Sequence, residues 1–188
     1  RKVWTESWLI AGVSADLEEV GDYFLFRVRS ESIIVTKAAS GVKAFYNVCP
    51  HRGARLLTEE RGNKKVFLCP FHSWSFRHDG TLRTITDEET FQDAVISHRP
   101  GLTPVACEEH AGLIFISMSD NPIPLKTAIG LPEGYLEHYQ IDKMRVVRHV
   151  RSEWGSNWTA VHRKIWAPRP LAISCTFAPA YLCLARLR

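Results

Sequence analysis

An all-β fold, a small antiparallel sandwich, is what the first two-thirds of this 188-residue sequence predicts. Three observations carry the expectation. Short β-branched or aromatic runs recur at close spacing, no helical pattern separates them, and an Asp-Gly pair between two of them signals a hairpin turn.

In chain order, Tyr23-Phe-Leu-Phe-Arg-Val-Arg29 and Ser32-Ile-Ile-Val-Thr-Lys37 read as strands parted by polar residues. Val42-Lys-Ala-Phe-Tyr46 follows the Gly41 turn, and Val66-Phe-Leu68 is a shorter run further on. Asp79-Gly80, between Ser75-Phe-Arg-His78 and Thr81-Leu-Arg83, favours a two-residue primed turn. Leu113-Ile-Phe-Ile-Ser117 after Gly112 reads as a last, buried strand. Beyond Pro122 and Pro124 the character changes. Gly130–Gly134 reads as a linker, Tyr135–Tyr139 as a helical turn and Met144–Val150 as a weak strand, so a boundary is expected near Ser119–Leu125.

Hydrophobic residues make up 45% of the chain, enough for a sizeable core. The net charge of +4 looks like an invitation to an acidic partner, but its distribution removes the hint. Residues 1–153 hold 19 basic and 20 acidic side chains, whereas everything from Trp154 onward holds five basic residues and no acid. No nucleic-acid or membrane partner is expected from a basic tail. No apolar run approaches the roughly 18 residues of a membrane span, and Arg1–Glu6 lacks the features of a signal peptide. A cytoplasmic protein is the expectation.

Cys49-Pro-His51 is followed, after seventeen residues, by Cys69-Pro-Phe-His72. Each half supplies one thiolate and one imidazole. Two Cys and two His in this mixed order suit a 2Fe–2S centre of the Rieske type, in which the cysteines hold one iron and the histidines the other. Imidazole donates less charge than thiolate, so such a centre has a higher potential than an all-cysteine cluster. Structural zinc is the competing reading, because a Cys2His2 set also satisfies a tetrahedral ion. Zinc fingers usually group like ligands in one knuckle, however, and here each knuckle carries one of each.

Asn47-Val-Cys-Pro-His-Arg-Gly53 and Cys69-Pro-Phe-His-Ser-Trp-Ser-Phe76 resemble the two cluster loops of Rieske non-haem iron oxygenases, the ring-hydroxylating dioxygenases and related enzymes. Trp4-Thr-Glu-Ser-Trp8 resembles the lead-in of their α-subunits. The resemblance implies a Rieske-type antiparallel β-sandwich with two cluster-binding hairpin loops over residues 1–120, N-terminal extension included. Residues 121–188 would be a linker and the incomplete start of an α/β catalytic domain, with Ser152-Glu-Trp-Gly-Ser-Asn-Trp158 resembling the entry to its first long helix. It further implies that Cys49, His51, Cys69 and His72 bind the 2Fe–2S cofactor and its iron. Electrons would arrive from a reductase or ferredoxin and pass to a mononuclear Fe(II), where O2 hydroxylates a small organic substrate. Trimers recur in that family, which makes a homotrimer one assembly to test.

A stand-alone Rieske-type ferredoxin is the alternative, an electron carrier needing only about 100 residues. The aromatic extension (Trp4, Trp8) and the long segment beyond Ser117 favour the oxygenase. The resemblance ends in the tail. Oxygen activation at non-haem iron uses two His and one carboxylate, yet no Asp or Glu follows Glu153 and His162 is the only His after His149. A truncated or aberrant C-terminus is therefore expected, and no catalytic residue is assigned in this chain.

Rieske proteins of the cytochrome complexes carry an extra cysteine in each loop, joined as a disulfide; these loops have none to spare. Cys107, Cys175 and Cys183 read as buried free thiols. Arg52 faces either a redox partner or plain solvent, and Gly53 shapes the first loop. Trp74 and Phe71 either shield the cluster or serve as ordinary core aromatics. Ser73 donates a hydrogen bond toward a cluster sulfide or merely makes a turn. His78, His98, His110, His138 and His149 lie outside ligand spacing and read as surface or core histidines.

Overall fold

A computed structural model describes residues 2–86, 88–90, 101–150 and 181–186. The chain divides into two compact units, residues 1–142 and 143–188. Ser152–Trp158, His98, His162 and Cys175 lie outside the described residues.

Among its described residues, the first unit opens with a short helix, α1 (Lys2–Glu6), followed mainly by strands. These are β1 (Leu9–Val13), β2 (Asp22–Val28), β3 (Glu31–Ala38), β4 (Gly41–Tyr46), β5 (Arg61–Asn63), β6 (Phe67–Leu68), β7 (Ser75–Phe76), β8 (Leu82–Thr84), β9 (Pro104–His110) and β10 (Leu113–Ser117). Seven of them form one antiparallel sheet in the order β1-β10-β9-β4-β3-β2-β5, and β6-β7-β8 form a second. The antiparallel β fold expected from the strand pattern is the fold found.

Side chains alternate across a strand, so β2 and β3 feed two cores. Phe24, Ile33 and Val35 join Leu17, Ala44, Val105, Ile114 and Ile116 on one face. Tyr23, Leu25 and Ile34 turn to the other face, where Phe67, Phe76 and Leu82 of the small sheet cover them together with Phe45, Trp74, Cys49 and Cys69. Burial on both faces is why these strands read as near-continuous apolar runs. The second core holds both candidate cysteines.

The Asp79-Gly80 turn differs from the expectation. Gly80 N–H donates to Arg77 O (3.0 Å) and Arg77 N–H to Thr81 O (2.9 Å), which makes a three-residue loop with Gly80 at φ +84°. Further along the ladder, Ser75 pairs with Thr84 and Phe76 with Leu82, so Arg83 is skipped as a bulge in β8. Asp79 explains the preference: its Oδ1 accepts from the Thr81 N–H (2.9 Å) and hydroxyl (2.6 Å), locking the turn locally. A primed two-residue turn occurs instead at Ala111-Gly112, both at positive φ, between β9 and β10.

After β10, the Trp8 indole N–H donates to Ile123 O (2.8 Å), which ties the N-terminal extension to the segment beyond the sheet. Helix α2 (Leu125–Ile129) buries Leu125 and ends at Gly130 in the left-handed conformation. Tyr135–Tyr139 contains a single 3-10 turn, Glu137–Tyr139. In the second unit, β11 (Met144–Val150) pairs antiparallel with β12 (Tyr181–Arg186), the latter containing Cys183. Among the described residues, no helix is long and apolar enough to cross a membrane.

Candidate metal centre

The two loops share one backbone frame. In the first, Cys49 N–H donates to Ala54 O (2.8 Å) and Gly53 N–H to Cys49 O (2.9 Å). In the second, Cys69 N–H donates to Trp74 O (2.8 Å) and Ser73 N–H to Cys69 O (3.0 Å). The fifth residue of each frame is left-handed, Gly53 at φ +73° and Ser73 at φ +57°. Glycine takes that conformation freely and serine does so at a cost. Ser73 thus has a defined turn role.

Within this frame the histidines are offset by one. His51 stands two residues after its cysteine and His72 three after its own, so Phe71 occupies the position that matches His51. The frame still brings the imidazoles together, with ring centroids 4.7 Å apart. Both Nδ1 atoms are shielded from solvent, and that of His72 meets no hydrogen-bond partner. A buried imidazole nitrogen left without a partner is costly and commonly marks a ligand position.

The thiols lie deeper. Cys49 is 1% exposed and Cys69 2%. Burial pushes the Cys49 thiol up to about 11, with the neighbouring Cys69 thiol adding to the rise and the backbone N–H groups of His51 and Arg52 opposing it. Burial, then the charges of His72 and Arg52, lower the pKa of His51. The neutral imidazole this favours is the form that takes a metal. Among the described residues, no three His, Cys, Asp or Glu side chains gather round a single point. The four donors stand instead as two like pairs, thiol with thiol and imidazole with imidazole.

The aromatic residues divide. Trp74 is buried and lies flat on His51, with centroids 4.6 Å apart and planes 5° apart. Phe71 is 59% exposed, which removes the core reading, and its ring leans on His72 at 4.1 Å. Arg52 is exposed. His78 is a structural histidine: its Nε2 meets Lys64 O at 2.7 Å and its ring meets Phe67 edge-on. His110 faces Glu137 at 3.5 Å, and His138 lies edge-on to Tyr139. Cys107 is half-buried on the opposite core, where burial pushes its thiol up to about 12. The residue that spacing alone did not reveal is Asn47, buried at the base of the first loop.

Comparison with known proteins meets this geometry. The Rieske [2Fe-2S] domain family matches residues 7–99, which span both loops. The glycine betaine monooxygenase oxygenase subunit of Chromohalobacter salexigens is 30% identical over 162 residues, 86% of this chain and 36% of that protein. The carnitine monooxygenase oxygenase subunit of Escherichia coli K12 is 33% identical over 159 residues, 83% and 42% of the two chains. The chain carries a Rieske [2Fe-2S] domain and is similar to the oxygenase subunits of Rieske monooxygenases. A crystal structure of a quaternary ammonium Rieske monooxygenase superposes with a TM-score of 0.75 at 28% identity, covering 85% of this chain and 45% of that one. The chain spans less than half the length of each of these relatives.

A Rieske domain carries a 2Fe–2S cluster, and the residues present fit one. Paired thiols, paired imidazoles and a buried unpartnered nitrogen on His72 match two protein ligands per iron. A tetrahedral zinc would ask for all four donors round one ion.

Proposed function

We propose that Cys49 and Cys69 hold one iron of the cluster and His51 and His72 the other, and that this domain relays electrons within an oxygenase. When bound, the cluster supplies one-electron transfer at a potential raised by its imidazole ligands. The chain's own residues do the rest. The Cys49 thiol, held protonated by burial, gives up its proton on metal binding, so loading releases protons. Trp74 excludes water from one side of His51, while Phe71 and Arg52 stand at the surface beside the loops. The observation that carries the reading is the pairing of like donors on two loops closed by the same two hydrogen bonds.

The wider reading rests on likeness. Residues 1–120 serve as the Rieske domain, and residues 121–188 lead toward a catalytic domain. There a mononuclear iron would use O2 to hydroxylate a small substrate, with a reductase or ferredoxin as electron source, in a cytoplasmic oligomer. The names of the relatives, glycine betaine and carnitine monooxygenase subunits, point to quaternary ammonium compounds as the substrate class. A stand-alone carrier fits these relatives less well, because the likeness continues well past the strand β10.

The test is anaerobic reconstitution followed by metal, sulfide and EPR analysis. Two irons and two acid-labile sulfides per chain with a rhombic reduced spectrum are expected. One zinc per chain and no sulfide would overturn the reading.

A further inference from the structure

The second loop stands on a ladder, since β6 and β7 flank it directly and pair Phe67 with Phe76 and Leu68 with Ser75. The first loop has no such support. It leaves β4 and returns as β5, and those strands are separated in the sheet by β3 and β2. Something else must hold its two ends together.

We propose that Asn47 is the positioning residue that fixes the first loop, replacing the missing ladder with one buried amide. Its side chain is 1% exposed. Its Oδ1 accepts from the backbone N–H groups of Leu56 (3.1 Å) and Leu57 (2.9 Å). Its Nδ2 donates to Leu57 O (2.7 Å) and to Ser32 Oγ (3.2 Å). The two donors and two acceptor sites of the amide are thereby all used. Asn47 lies before Cys49, and its partners Leu56 and Leu57 lie after Ala54, so the clamp encloses the whole Cys49–Ala54 frame and with it His51. Its own N–H donates to Ser32 O (2.9 Å), which anchors the clamp to the start of β3. The amide therefore sets where the first loop's donors stand relative to the second loop's. This inference rests on the reading that the loops hold a two-iron cluster.

The experiment compares Asn47→Asp and Asn47→Ala with Ile114→Ala in the full cluster-loaded chain. Ile114 is fully buried in the opposite core and serves as a control for loss of stability alone. Asn47→Asp is isosteric and keeps an acceptor toward Leu56 and Leu57, so it decides the question if the alanine variant fails to fold. Two readouts are taken: iron release to a chelator per folded molecule, and the histidine-nitrogen hyperfine couplings of the reduced cluster. Release about tenfold faster is expected for the Asn47 variants, in line with the loss of one or two buried hydrogen bonds. Shifted couplings should accompany it, and Ile114→Ala should change neither. Unchanged release and couplings in Asn47→Asp, or equal changes in Ile114→Ala, would overturn the role of Asn47. A wild-type chain that takes up no two-iron cluster would overturn the underlying reading instead.

Discussion

The indole of Trp74 lies within 5° of parallel to the imidazole of His51, their centroids 4.6 Å apart. Trp74 closes the backbone frame of the second loop through its own carbonyl, which accepts from Cys69 N–H, and its ring braces the histidine of the first. One residue therefore couples the two halves of the site. Replacing it removes a large buried side chain and the stack together. Trp74→Ala is expected to lower stability by about 3–5 kcal/mol, as large aromatic truncations do. Denaturant unfolding of the apoprotein checks this, and a loss below about 1 kcal/mol would mean the indole is not packed as described.

Two glycines at positive φ separate backbone strain from collision. A Cβ on Gly53 (φ +73°) would meet nothing within 4 Å, so Gly53→Ala carries only the left-handed penalty, about 1–2 kcal/mol. A Cβ on Gly80 (φ +84°) would overlap the ring of Phe45, which is itself buried. Gly80→Ala should cost at least about 1 kcal/mol more, because overpacking adds to the same strain. Urea midpoints of the two variants make the comparison, and equal losses would contradict the close approach of Phe45.

Much of this architecture was legible because the central strands are apolar on both faces. Tyr23–Val28, Ile33–Thr36 and Leu113–Ser117 could be read directly, and spacing alone singled out Cys49, His51, Cys69 and His72 as candidate donors, which the fold gathers as two like pairs. Strands β5 and β9 were not legible. Arg61-Gly62-Asn63 is exposed, polar and held by pairing with β2 alone, while β9 begins at a proline and carries Glu108 and Glu109 on an exposed stretch. The clamp at Asn47 was hidden for a different reason. Its partners lie nine, ten and fifteen residues away, and nothing local in the sequence announces a side-chain bond across a loop.

Asp79 makes the β7–β8 turn sensitive to acid. Hydrogen bonds from the Thr81 hydroxyl and then the Thr81 N–H hold its carboxyl below the usual range. A depressed folded-state pKa stabilises the protein above the unfolded value, near pH 4, and the contribution is lost as pH falls through the folded value. Asp79→Asn should therefore flatten the fall in melting temperature between about pH 5 and pH 3. Parallel melting curves for the variant and the wild type across that range would rule Asp79 out as a contributor.

The last prediction separates the roles of thiolate and imidazole. If His51 and His72 share one iron, either can be exchanged for cysteine with retention of some cluster, since thiolate also binds iron. The added thiolate charge disfavours uptake of an electron. The midpoint potential of His51→Cys or His72→Cys should accordingly fall by hundreds of millivolts, toward the plant-type value of about −400 mV. Cys49→Ser and Cys69→Ser are expected to lose the cluster outright, because each removes a thiolate from a buried pair for which a hydroxyl is a poor substitute. Potentiometric titration followed by EPR reads both outcomes. A His51→Ala chain with a wild-type spectrum and potential would show that His51 binds no iron, and the pairing of imidazoles at 4.7 Å would then need another explanation.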